Sequence, residues 1–278
     1  MTASKTDGLN KTILSTPLHN KCNNFVIAII GIPKRAPTPG VLAEMNWLDP
    51  RSRTQIRMIR QFKRLLNLDD YRLTKQVFLW DRQLNEAGML KTWSYEVKEI
   101  LLRNNMDFIY NSPYFSIKDT VEDLKKSLMR KDMIKWEADC RKMPKLRTFV
   151  QFKVFHQKTP YLAKPLSFIQ RKQLAKFRLG VLALRIETGR YQRPKLPAEE
   201  RLCKLCDSGE VEDESHFLLR CGLYSLERHG LISKLSDPVS FHLLSENDKM
   251  QFLMNDQESI KSTAQFIIDC FDKRSLHL

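Results

Sequence analysis

No apolar run in this chain is long enough to span a bilayer. The longest, Phe25 to Ile32, falls far short of the roughly 18–20 residues that a transmembrane helix requires. Asn23 and Asn24 precede it and Pro33-Lys34-Arg35 follow, where small residues would mark a secretory cleavage site. An intracellular protein, nuclear or cytoplasmic and not membrane-bound, is the expectation. Cysteine is sparse, 6 in 278 residues, which excludes a disulfide scaffold and makes metal ligation the first role to examine. There is no long repeat, no low-complexity tract and, outside the Cys-rich segment, no β-hairpin signature. Catalytic signatures are missing too. The only adjacent aspartates, Asp69-Asp70, follow Asn67-Leu68 and not the aromatic-x pair of a polymerase motif. No Gly-rich phosphate loop ending in Lys-Ser/Thr occurs, and no coherent Ser/His/Asp or Cys/His triad. A protein without enzymatic activity is expected.

What is present in excess is positive charge, 47 Lys+Arg against 32 Asp+Glu, a net +15 that favours polyanionic partners. Apolar residues at 42% and charged residues at 28% are near the globular average, and 278 residues allow one large domain or two small ones. The excess is local. Fifteen basic residues and one acid, Glu187, lie between Arg141 and Lys195. A solvated face normally mixes both signs, so this stretch reads as a contact surface. Aromatic residues are interleaved with the cations, a combination suited to RNA or single-stranded nucleic acid, since phosphates pair with Lys and Arg while bases stack on rings. The candidate contacts are Lys153, Arg171, Lys172, Lys176, Arg178, Arg185, Arg190, Tyr191 and Arg193. Phe149, Phe152 and Phe155 recur at helical spacing and read as core.

Periodicity predicts a mostly α-helical fold, an irregular helical bundle with a small zinc-binding segment. Residues 1–30 read as a flexible leader, 31–195 as a helical region that is basic from 141, 196–235 as the Cys-rich segment and 236–278 as C-terminal helices. Ile56, Ile59, Lys63 and Leu66 suggest a first helix; others are expected over Thr74 to Glu86, Ser94 to Asn104 and Ser116 to Arg141, with Pro144 ending or restarting the last. From Ser167 to Glu187, Leu174, Phe177, Val181 and Leu184 mark a buried stripe. Arg171, Arg178 and Arg185, seven residues apart, would line its margin on one helix. Gly189, Pro194 and Pro197 break it. Beyond Cys221, helices are expected over Gly222 to Ser236 and Gln257 to Lys273.

The sharpest local signal is Cys203, Cys206, His216 and Cys221, a C-x2-C-x9-H-x4-C spacing. Two thiolates two residues apart can bind one ion from a tight turn, and Asp207-Ser208-Gly209 lets the chain reverse so that His216 and Cys221 close a tetrahedron. Soft sulfur and borderline nitrogen select Zn, and four protein ligands make the expected role structural. The segment from Glu199 to Cys221 is itself acidic, so zinc is expected to orient the preceding basic helix and not to grip phosphate. Cys22, Cys140 and Cys270 read as ordinary buried thiols and His229 as a surface histidine.

The runs from Leu174 to Tyr191, from Glu200 to Cys206 and from Val211 to Cys221 resemble the C-terminal region of reverse transcriptases of animal non-LTR (LINE-type) retrotransposons. Gly31 through Trp47-Leu48, Arg72 to Asp81 and Met143 to Phe149 resemble that family more loosely, the whole resemblance covering Gly31 to Arg228. It implies a helical region downstream of a polymerase thumb, ending in a CCHC zinc segment that helps hold template RNA. By it Cys203, Cys206, His216 and Cys221 are the metal ligands, and other parts of a retrotransposon ribonucleoprotein are partners. The chain departs from the family in placing Gly222, not Pro, after the last cysteine, and in lacking polymerase and endonuclease cores. The competing reading is a non-catalytic zinc-containing protein-interaction module, its basic stretch pairing with an acidic partner.

Overall fold

Helices account for nearly all the regular structure in a computed structural model that describes residues 31–277 apart from Leu90, Pro113, Phe155, His156 and Lys158. The expected leader, Cys22 and the core assignment of Phe155 lie outside the described residues. Among the described residues there is no strand, only an isolated antiparallel bridge between Leu202 and Val211. The chain forms two units. The first comprises residues 48–135; the second is discontinuous, built from 31–47 and 136–277. The Cys-rich segment and the C-terminal helices, set apart by composition, share one core in the second unit.

The first unit contains α2 (Pro50–Leu66), α3 (Leu73–Glu86), α4 (Trp93–Leu102) and most of α5 (Ile117–Lys142), following α1 (Thr38–Glu44) of the second unit. Asp49 caps α2 by accepting from the Arg51 N–H at 2.9 Å, and Pro50 occupies its first position. Its buried stripe is Ile56, Ile59, Phe62 and Leu65. The expected stripe is thus off by one residue in its second half, because Phe62 is the larger apolar group and Lys63 instead lies 4.3 Å over the Phe115 ring. Phe62 stacks on Tyr110 at 5.5 Å and meets Phe78 edge-on at 5.8 Å. Buried Lys75 donates to the Leu65 and Leu66 carbonyls, closing the C-terminus of α2 with a cation.

The second unit holds α6 (Phe149–Phe152), α7 (Pro160–Ala163), α8 (Phe168–Arg178), α9 (Arg185–Thr188), α10 (Ser225–Ile232), α11 (Pro238–Leu243), α12 (Glu246–Asn255) and α13 (Ile260–Ser275). Ser167 and Gln170 form a reciprocal capping box at the start of α8. The long helix expected from Ser167 to Glu187 is in fact two. α8 stops at Arg178 because Gly180 takes φ +60°, and a side chain there would collide with the Lys145 carbonyl. Arg171 and Arg178 therefore share a helix, whereas Arg185 begins another. Leu174, Phe177, Val181 and Leu184 are nonetheless all buried. Among the described residues no helix is long and apolar enough to cross a membrane.

Candidate metal centre

Leu202 and Val211 pair on either side of a tight loop in which the Cys203 N–H donates to the Glu210 carbonyl at 2.8 Å and Gly209 supplies φ +67°. The loop places Cys203 and Cys206 on one side, and a π-helical turn, His216–Arg220, delivers His216 and Cys221 to the same point. One donor atom from each of the four lies within 4.8 Å of all the others, so this Cys3His group could hold a metal ion. Cys203 Sγ and Cys221 Sγ are 3.9 Å apart, and Cys206 Sγ and His216 Nε2 are 3.4 Å apart.

Surrounding groups orient these ligands. The Leu205 N–H points at Cys203 Sγ at 3.4 Å, and Ser208 Oγ lies 3.2 Å from Cys206 Sγ. Burial pushes the Cys203 thiol up to about 12. Burial also raises the Cys206 thiol, but hydrogen bonds with Ser208, Cys203 and the Gly222 backbone together outweigh it and bring that group down to about 6. His216 Nδ1 is 2.9 Å from Glu210 Oε2, leaving Nε2 to face the sulfurs. Burial disfavours the imidazolium, yet hydrogen bonds to Cys221 and Glu210 raise His216 to about 9. Glu210 is held in turn by Arg220 Nε at 2.7 Å, and Arg220 reaches Glu246 on α12.

The acidity of the segment has a structural explanation. Glu212 and Glu214 are buried, Glu212 pairing with Arg274 of α13 and Glu214 with Arg147 and the Thr148 hydroxyl. Glu212 also accepts the Arg185 N–H at 2.8 Å, capping α9 from the metal loop. Arg201, next to the bridge residue Leu202, donates to the carbonyls of Ile186 and Leu196. Phe217, directly after a ligand, is fully buried with its ring 6.2 Å from Phe177 of α8 and 6.0 Å from Phe266 and 5.4 Å from Phe271 of α13. The putting of a ligand next to this ring joins the site to the main core.

The predicted nucleic-acid contacts separate into two groups. Arg178 and Lys153 are corrections, because both are buried in the core. Arg178 donates to both oxygens of Glu44 at 3.0 and 3.1 Å and to the Met254 carbonyl at 2.7 Å, between the Phe152 and Tyr161 rings. Lys153 donates to the Gln157 carbonyl and Thr159 hydroxyl, and burial pushes its ammonium down to about 8. Arg171 is half-buried and donates to the Leu166 carbonyl. Arg185 is half-buried at the start of α9.

Tyr191 and Arg193 are exposed, and Lys172, Lys176 and Arg190 are half-buried beside them. Tyr191 is 59% exposed, and its ring is flanked by Lys145 at 5.9 Å and Arg35 at 5.8 Å. Burial lowers the Lys176 ammonium, with Lys172 and Arg35 adding repulsion, which places those three cations near one another. Among the described residues, the carboxylate in direct contact with this patch is Glu187, buried beneath it, bridging Lys145 and Arg190 at 2.8 and 2.9 Å. Arg35 and Lys145 were not singled out from sequence. Lys145 lies inside the basic stretch, but Arg35 carries no local signal.

Comparison with protein-family models, with curated proteins and with solved structures finds no match to the chain.

Proposed function

We propose that the second unit is a zinc-stabilised, non-catalytic module that binds RNA or single-stranded nucleic acid through the patch of Arg35, Lys145, Lys172, Lys176, Arg190, Tyr191 and Arg193. The observation that carries the reading is the exposed Tyr191 ring set among cations whose contacting carboxylate is buried. A base can stack on the ring while phosphates meet the ammonium and guanidinium groups. Such contacts carry little base information, so binding is weakly sequence-specific.

The donor set suits zinc. Sulfurs at about 2.3 Å from one zinc ion stand about 3.8 Å apart in a tetrahedron, close to the 3.9 Å between Cys203 and Cys221. Bound zinc would be held by Cys203, Cys206, His216 and Cys221 and would supply structural cross-linking, while Glu212 and Arg201 fix the backbone that ends in Tyr191. The resemblance to the C-terminal region of non-LTR reverse transcriptases agrees with this reading and names template RNA as the ligand. A protein-interaction role is favoured by one feature of the first unit, the exposed Leu73, Val77 and Trp80 along α3.

Titration of the zinc-loaded chain against unstructured single-stranded RNA across a salt series tests the proposal. Neutralising Z phosphates gives a slope of about −0.7Z in log affinity against log salt. A slope equivalent to roughly four contacts, lost in a folded Lys172→Glu/Lys176→Glu/Tyr191→Ala variant, is the expected result. Negligible RNA binding by the folded, zinc-loaded chain would overturn it in favour of the protein-interaction module.

A further inference from the structure

Helix α2 in the first unit runs Pro-Arg-Ser-Arg-Thr-Gln-Ile-Arg-Met-Ile-Arg-Gln-Phe-Lys-Arg-Leu-Leu and contains no acid. At about 100° per residue, Arg53, Arg57, Arg60 and Arg64 fall within an arc of about 60°, directly opposite the buried Ile56, Ile59, Phe62 and Leu65. They span about 16 Å along the helix axis. Arg57, Arg60 and Arg64 are exposed, and among the described residues none of the three has an ion-pair or hydrogen-bond partner.

Several exposed cations elsewhere on this unit stand beside acids on their own helix or turn: Arg72 with Asp69, Arg103 with Glu99, Lys125 with Glu122 and Lys126 with Asp123. On α2 no acid is available for such a pair, and the exposed guanidiniums of Arg57, Arg60 and Arg64 stand in line one turn apart. Repulsion between like charges one turn apart on a helix is unfavourable, and a polyanion relieves it.

We propose that this face of α2 is a second anion-binding surface, one that grips the phosphate backbone of a nucleic-acid duplex. Guanidinium groups pair with phosphate in a bidentate manner. Beside the arc, Gln61 is polar and exposed and can donate to a phosphate oxygen, while the Thr54 hydroxyl is already donated to the Pro50 carbonyl at 2.9 Å. None of the α2 residues on this face is aromatic, so the helix itself offers no ring for stacking an unpaired base, in contrast to the Tyr191 patch. Binding must come from backbone neutralisation, which is strongest on the polymer of highest charge density. A duplex carries one charge per roughly 1.7 Å of axis, more than a single strand.

The test uses the full chain, metal-loaded, with a short DNA duplex, a single strand of the same length and vesicles containing phosphatidylserine. In an Arg57→Glu/Arg60→Glu/Arg64→Glu variant that keeps its far-ultraviolet circular dichroism, the duplex affinity falls and its salt slope flattens by about 2.7, at about 0.9 per lost phosphate contact. Affinity for the single strand stays within twofold. Should the reversal unfold the helix, the corresponding triple Gln variant, which keeps length and helix propensity, must show the same loss. An unchanged duplex slope in a folded variant overturns the proposal. So does loss of vesicle binding with duplex binding intact, which would assign the face to a membrane. The reading of the Tyr191 patch fails separately, if Tyr191→Ala/Lys172→Glu/Lys176→Glu leaves single-strand binding untouched.

Discussion

Replacing Arg178 by Met separates a core arginine from a ligand-binding one. The Arg178 and Glu44 side chains are both fully buried, and the guanidinium makes three hydrogen bonds to the carboxylate and the Met254 carbonyl. Removing one partner of such a pair leaves an uncompensated buried charge, which costs about 3–5 kcal/mol. At roughly 2–4 °C per kcal/mol for a unit of this size, the midpoint of thermal unfolding falls by roughly 6–20 °C. Glu44→Leu combined with Arg178→Met removes both charges, and similar apolar volume recovers most of the loss, because the desolvation cost of the pair disappears with it. Affinity for single-stranded RNA, measured below the lowered midpoint, stays at the wild-type value. An Arg178→Met protein that unfolds at the normal temperature but binds RNA several-fold more weakly would refute the burial argument and return Arg178 to the surface.

Glu210→Gln removes the carboxylate that orients His216 and, with the Cys3His group holding zinc as proposed, is expected to lower zinc affinity by about 10–100-fold in competition with a chromophoric chelator; chelator treatment of zinc-loaded wild type is expected to loosen the packing around Phe217, read by near-ultraviolet circular dichroism. Gly180→Ala forces a left-handed backbone on a residue with a Cβ and drives it against the Lys145 carbonyl, so a loss of more than about 2 kcal/mol in urea unfolding is expected, against about 1 kcal/mol for Gly88→Ala, where φ +69° imposes the backbone strain alone and no atom lies within 4 Å. Burial holds Lys153 near 8, below its ordinary 10.5, so the unfolded chain binds more protons between those values and the contribution of this residue to stability rises as pH climbs through that window. Lys153→Met removes that rise, and an alkaline stability profile unchanged by the substitution would contradict it.

Features that depend on neighbouring residues were readable from the chain. α3, α4 and α5 begin and end within about two residues of where periodicity and Pro144 put them, inside the usual uncertainty of helix ends. The four candidate ligands converge because their spacing is short and a turn and a helical segment suffice to join them. Long-range pairings were not readable. Arg178 has the look of a surface cation in a basic stretch, and its partner Glu44 is 134 residues away. Glu212 and Glu214 read only as part of an acidic segment, and nothing local points to Arg274 and Arg147 as their partners. The break at Gly180 hides within an apolar run, since Leu179, Val181 and Leu182 continue the buried pattern on either side while the backbone turns.

The discontinuity of the second unit sets an order of events on the ribosome. Glu44 leaves the exit tunnel 134 residues before Arg178, an interval of roughly 7–27 s at 5–20 residues per second. Residues 48–135 emerge as one continuous stretch during that wait and carry their own core around Phe62. The first unit can therefore complete its fold while α1 still holds an unneutralised carboxylate and an apolar face with Val41 uncovered. That interval is when the nascent chain is most open to chaperones, and a slower passage through the codons for 48–135 would lengthen the exposure of α1 without altering any contact of the finished protein.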